Sequence, residues 1–366
     1  MPFKDDKLLK DLQSLRKLLH AHPELSGQES HTAGIVLNAL EKCRPDTIIS
    51  ELGGTGVLAL FDSGKAGPEV LLRCELDALP ITEINNFNHQ SRYPGVSHKC
   101  GHDGHMAILA GIARLLKEKP IRRGKLLLLF QPAEETGAGA RAVIEDKKFQ
   151  NIKPDFAFAL HNLPGEIKHQ ILCKPGSISP AVKSLIFKLH GRKAHAAEPE
   201  KGISPALAIA EILECSSRLT CSDRTSEQYF LITPIYVNIG EKAYGIAAGS
   251  GELHFTIRTH SNEMMTRRGK EWSEQVRAIA QKHHLKLVEE TTDEFRSNNN
   301  DPKAFEIVKK AAQKTELIFV EMDTALPWGE DFGLFTEKFR GALFGLGAGK
   351  ECPALHQDDY DFPDEL

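Results

Sequence analysis

The sequence predicts an α/β protein with a mostly parallel central sheet, interrupted by a smaller inserted α+β domain. Three observations lead there. Apolar runs without polar alternation recur in the outer thirds of the chain, at 70–72, 126–130, 156–160 and 342–346, and strands buried on both faces have this character. Helical patterns separate them, as in Ile108, Leu109, Ile112, Leu115 and Leu116, which indicates helices packed on a sheet. From Ser184 the order becomes strand (185–189), helix (204–219), strand (230–239), strand (252–259), helix (262–284) and strand (285–290). That β-α-β-β-α-β succession is ferredoxin-like.

Taken in order, the first element is an amphipathic helix over 5–22, with Leu8, Leu12, Leu15 and Leu19 on one stripe and Asp5 and Asp6 as caps. Each outer apolar run then ends in a polar segment. The run at 70–72 leads into Arg73-Cys74-Glu75-Leu76-Asp77, and 126–130 into Gln131-Pro132-Ala133-Glu134-Glu135. The run at 156–160 leads into His161-Asn162, and 342–346 into a loop holding His356. Gly345, Gly347 and Gly349 precede Lys350-Glu351-Cys352-Pro353 rather than a helix, so they are read as a tight turn, not a dinucleotide fingerprint. The expected division is 1–181 and 296–366 for a discontinuous catalytic domain, with 182–295 inserted.

A chain of 366 residues with 41% hydrophobic and 26% charged residues is expected to be a soluble globular protein. Its formal charge of −4 gives no electrostatic case for nucleic acid or an anionic membrane. No apolar run approaches the roughly 18–20 residues of a membrane span. Acidic residues near the N-terminus stand where a signal peptide would be apolar, so a cytoplasmic location is expected. Seven cysteines with no CxxC pair point to thiols in a reducing compartment. Cys43, Cys74, Cys173, Cys215, Cys221 and Cys352 are read as small apolar residues.

The polar residues that follow the strands carry the chemistry, because open α/β sheets build their sites there. They are Cys100 and His102 in HKCGHDGH, Glu134 and Glu135 in QPAEE, His161 in LHN and His356 in ALHQDD. This mixed sulfur, nitrogen and oxygen set suits zinc and accepts manganese, cobalt or nickel. Cys100 opens a predicted helix whose dipole favours a thiolate, and Gly101 relaxes the backbone between the two ligands. Of the adjacent carboxylates, one on a metal and the other free to take a proton from water is a hydrolase division of labour. The candidates outnumber the three protein ligands usual at one catalytic zinc, so two divalent ions are expected, with the Cys100 thiolate as the bridge. Asp103 is read as orienting a ligand histidine, while His98 and His105 flank the metal loop.

With these residues in view, the chain resembles the M20 metallopeptidase family, in the amidohydrolase branch that cleaves N-acyl amino acids, hippurate and auxin conjugates. The resemblance spans HAHPELSGQE, LDALPI, CGHDGH, LLLFQPAEETGAGA, LHNLPG, GRKAHAAEPEKG, GEDFG and LHQDDYDF. It implies a zinc-peptidase-like catalytic domain, a lid or dimerisation domain inserted in it, a homodimer formed through that domain, and a small-molecule amide substrate. By resemblance Cys100, His102, Glu135, His161 and His356 are metal ligands, Glu134 is the general base and Asp77 is a catalytic-site residue. His195 then helps bind the scissile carbonyl, and Arg258 holds the substrate carboxylate.

The chain departs from the family in places. Glu75-Leu76-Asp77 stands where Asp-x-Asp is usual, and Tyr244-Gly245-Ile246-Ala247-Ala248 replaces a segment with proline. The sequence stops at Leu366, where relatives are expected to continue into a helix; loss of that helix would leave apolar sheet surface to be covered otherwise. Two alternatives stay open: a hydrolase using Cys100 as nucleophile, and a catalytically impaired protein that binds metal or amino acids. Arg258 has the further alternative of pairing with Glu252 on its strand.

Overall fold

The strands Lys125–Gln131, Glu69–Glu75, Phe156–Pro164 and Arg340–Gly349 lie side by side and all parallel at the centre of an eight-stranded sheet. Gly56–Asp62 and Thr47–Leu52 extend one side antiparallel, and Ile171–Cys173 and Phe319–Glu321 extend the other. The structure is a computed structural model and describes residues 6–366, so the expected cap Asp5 lies outside the described residues.

Apolar side chains on both faces bury the central strands; Leu128, Leu129 and Phe130 are inaccessible to solvent. The helices Asp6–Ala21, Ser30–Glu41 and His102–Glu118 pack together, and Leu19, Leu40, Leu109 and Ala113 share a core with Val57, Leu128 and Phe130. Elsewhere on the sheet, Val70, Leu72, Leu126, Phe158 and Phe344 line an apolar groove of about 460 Å³ beside the helix Pro302–Lys314.

Two sequence expectations are corrected here. His161 and Asn162 lie within a strand rather than after it, because the parallel neighbour continues and pairs them with Gly345 and Leu346. For the same reason Gly345 and Gly347 belong to a strand, not a tight turn. They are glycines because neighbours press on them: a Cβ at Gly347 would sit 1.9 Å from the Ile167 carbonyl oxygen, and one at Gly345 would sit 2.2 Å from Leu163.

The chain divides into two compact units. One runs to Ile178 and resumes over Asn298–Asp323 and Glu330–Leu366; the other is Ser179–Ser297 with Thr324–Gly329. The second unit is a four-stranded antiparallel sheet in the order Phe230–Ile239, Ser250–Thr259, Ala181–His190, Lys286–Phe295. The buried residues alternate along Ser250–Thr259, as a sheet covered on one face requires. That covered face packs on the helices Ala206–Leu219 and Asn262–Lys282, with Trp272 edge-on to Phe187 and Phe255. Strand order and connectivity are ferredoxin-like. A small second ladder, Ala194–His195 with Ile246–Ala247, adds to this unit.

Candidate metal centre

Gly101 lets Cys100 and His102 converge. It precedes the helix His102–Glu118 at φ +92°, a left-handed conformation open to glycine at no steric cost. A Cβ there would lie 2.8 Å from the Tyr360 hydroxyl and 2.9 Å from the Asn162 amide. Donor atoms of Cys100, His102 and His161 consequently fall within 4.8 Å of one another, with Cys100 Sγ 3.5 Å from His161 Nε2. Cys100, Glu135 and His356 form a second such group, so Cys100 belongs to both.

The paired carboxylates depend on a similar break in regular backbone. Ala133 has φ +51° and its amide donates to Glu29 Oε1 at 2.8 Å. The chain thus turns at the strand end and both side chains face His102: Glu134 Oε2 lies 3.9 Å and Glu135 Oε1 3.8 Å from its Nε2. His356, at φ +66°, arrives from the C-terminal segment with Nε2 3.8 Å from Glu135 Oε2. Asp77 stands behind them. Its backbone carbonyl lies 2.9 Å from His102 Nδ1, and its Oδ2 accepts from Ser26 Oγ at 2.7 Å and from the Glu135 amide at 2.9 Å.

This group is short of positive charge. Burial, joined by Glu135, Glu134 and Glu75, raises the Cys100 thiol well above its ordinary value. Burial, with Glu330, Glu135 and Asp331, raises Glu134 likewise. Burial lifts Glu135 to about 7 against the opposing pull of His102. His102 Nε2 and Glu135 Oε1 are buried with no hydrogen-bond partner. A thiol, three imidazoles and a carboxylate, crowded and partly unsatisfied, fit divalent cations of the zinc class. Without a cation beside it, burial and three carboxylates oppose the thiolate that the helix dipole favours.

Behind the donors lies a network that residue spacing does not reveal. Arg73, fully buried in its strand, pairs with Glu75, Asp331 and, at 3.0 Å, Glu330. Glu75 Oε2 is 2.6 Å from His105 Nδ1, and His105 Nε2 is 2.6 Å from Asn162 Oδ1. Glu75, where the family has Asp, thus spans Arg73 and His105. The Asp331 amide donates to Glu134 Oε1 at 3.4 Å. The available signal was a lone arginine in an apolar strand, which must find carboxylates if buried. Asp103 does not orient a ligand histidine; its Oδ2 lies 2.9 Å from His20 Nδ1 and 3.1 Å from Arg16. His98 is buried with neither ring nitrogen hydrogen-bonded.

His195 and Arg258 belong to the second unit. His195 is exposed on the two-residue strand Ala194–His195, its Nδ1 accepting from the Ala197 amide at 3.1 Å. Arg258 is half-buried on Ser250–Thr259 opposite Leu231 and Val182. It has no ion-pair partner among the described residues, since Glu252 pairs with His254 at 2.7 Å instead.

Residues 71–366 match the model of peptidase family M20/M25/M40. The chain is 31% identical over 345 residues to N-acetyl-L-cysteine deacetylase of Bacillus subtilis, covering 93% of this chain and 81% of that one. It is 29% identical over 362 residues to hippurate hydrolase of Campylobacter jejuni, covering 97% and 92%. Among solved structures it is similar to a Bacillus subtilis protein described as a dinuclear metal binding peptidase from the M20 family, with TM-score 0.83, 27% identity and coverage of 99% and 94%. The chain belongs to peptidase family M20/M25/M40.

Proposed function

We propose that this protein is a metal-dependent amidohydrolase that cleaves the amide bond of N-acyl amino acids or similar small amides bearing a free carboxylate. The observation that carries the proposal is the pair of donor groups sharing Cys100, with Glu134 beside them in a further group with His102 and Glu135. Cys100, His102 and His161 would hold one ion, and Cys100, Glu135 and His356 the other. Zinc suits the sulfur-containing set best; manganese, cobalt and nickel also fit. The named activities of the deacetylase and hydrolase relatives support the substrate class.

When bound, two divalent ions supply Lewis acidity to the amide carbonyl and to the attacking water. Glu134 takes the water proton and passes it to the leaving nitrogen. Burial and the neighbouring carboxylates raise its pKa, the direction a proton carrier at neutral pH needs. Asp77 fixes His102 and the Glu135 backbone. His195 donates to the developing oxyanion, and Arg258 receives the substrate carboxylate through its planar fork.

The second unit serves as lid and dimerisation domain in this reading. Its outer strand Phe230–Ile239 carries exposed Ile235, Tyr236, Val237 and Ile239, an apolar edge suited to a second copy. No helix among the described residues is long and apolar enough to cross a membrane. All seven cysteines are free thiols, which supports a cytoplasmic location.

The test is a hydrolysis screen of acetyl, benzoyl and indole-acetyl amino acids with zinc, manganese, cobalt and nickel supplied separately. Turnover that a chelator abolishes and one of these metals restores is the expected result. Turnover that survives complete metal removal would overturn the proposal. Size exclusion with light scattering reads the dimer.

A further inference from the structure

Lys99 immediately precedes Cys100, and its side chain is wholly buried. Burying an ammonium is costly unless each proton finds an acceptor. Here all three do: Nζ donates to Glu83 Oε1 at 2.5 Å, Asn85 Oδ1 at 2.7 Å and the Tyr360 carbonyl at 2.7 Å. The last of these belongs to the C-terminal segment, as does His356. That histidine adopts a left-handed backbone at φ +66°, a conformation disfavoured for any residue with a Cβ. Its amide donates to the Lys99 carbonyl at 2.8 Å. Lys99 therefore grips the segment twice, at His356 through its backbone and at Tyr360 through its side chain. Further stitches run beside it, from the Ile84 amide to the Asp358 carbonyl at 3.2 Å and from Asn85 Nδ2 to the Asp359 carbonyl at 2.8 Å.

We propose that Lys99 is a positioning residue that sets His356 for metal binding by clamping 356–360 onto the loop carrying Cys100. The inference rests on the reading of His356 as a metal ligand. His102 and His161 lie in a helix and a strand, Cys100 directly precedes that helix, and Glu135 follows the end of a central strand. His356 is more than half exposed and lies on a segment without regular structure, so its placement depends on such a clamp.

The experiment measures zinc stoichiometry and stepwise affinity by chelator competition in the full chain. The variants are His356→Ala, Lys99→Met with Glu83→Gln, and Asn85→Ala. The double change removes the ammonium together with the Glu83 charge, which pairs with both Lys99 and His20. Asn85→Ala is milder and removes one acceptor of Lys99 together with the Asn85 bond to the Asp359 carbonyl. The double variant should bind the first ion normally and the second about 10- to 100-fold more weakly, the range found when partners behind a ligand are lost. Asn85→Ala should weaken the second ion less, in the same direction. A purely structural role for Lys99 would lower Tm and leave the ratio of the two affinities unchanged, which would overturn the proposal. If His356→Ala itself keeps both ions, the ligand assignment falls and the positioning role with it. If His356→Ala loses one ion while the other variants keep both, the positioning role alone falls.

Discussion

The backbone carbonyl of Asp77 lies 2.9 Å from Nδ1 of His102, so that nitrogen carries the proton and Nε2 is turned toward Glu134 and Glu135. The Asp77 carboxylate, with Oδ1 3.3 Å from the same Nδ1, adds charge behind the ring and strengthens its Nε2 as a donor. Asp77→Asn keeps the shape and removes that charge. Metal affinity should fall about 10- to 100-fold, read by competition with a chromophoric chelator. Unchanged affinity would remove Asp77 from the site.

Glu134 makes a different prediction because it is assigned to the proton and not to the metal. Glu134→Gln should retain wild-type metal content while kcat falls by about 10²- to 10⁴-fold, the usual contribution of a positioned general base. A variant with near-normal kcat would refute the assignment. One that loses metal would show that Glu134 is a ligand.

Cys100 is the donor common to both groups, so its loss should be felt at both ions. Cys100→Ser should weaken both steps of metal binding, whereas His161→Ala and His356→Ala should each weaken one. Elemental analysis after dialysis distinguishes these patterns. Unchanged stoichiometry and affinity in Cys100→Ser would dispose of the bridge. The Cys100 nucleophile reading fits poorly with a thiol raised by burial and by Glu135, Glu134 and Glu75, since the thiolate is the reactive form.

Much of this was legible in residue patterns. Unalternating apolar runs gave the parallel strands, and the polar segments between and after them supplied the proposed donors Cys100, His102, Glu134, Glu135 and His356. Tertiary pairing was harder to read. His161 and the glycines at 345 and 347 sit in strands only because their neighbour continues, which a local pattern does not record. Arg73 and Asp331 are 258 residues apart in sequence yet pair in the core. Such a contact leaves no periodicity behind, only an isolated charge in an apolar strand. Asp103 follows His102 in sequence, but successive helical residues point in different directions, and it meets His20 and Arg16 instead.

The same network supplies a prediction about pH. Burial alone would lower the His20 pKa, but hydrogen bonds to Asp103 and Glu83, each 2.9 Å, outweigh it and raise the value to about 9. A group whose pKa is higher folded than unfolded stabilises the fold fully below its unfolded value and loses that contribution as pH rises through the folded value. For His20 the loss therefore runs from about 6.5 to about 9. Glu83 has the opposite sign: burial would raise it, but bonds to His20 and Lys99 hold it at about 2, so it stays ionised through this window. His20→Gln keeps a hydrogen-bonding side chain and removes the charge. Urea unfolding should show the variant destabilised relative to wild type by on the order of 3 kcal/mol more at pH 5.5 than at pH 9.5. A difference that does not change with pH would mean that His20 is neutral in the folded protein, and that Arg16 alone balances Asp103.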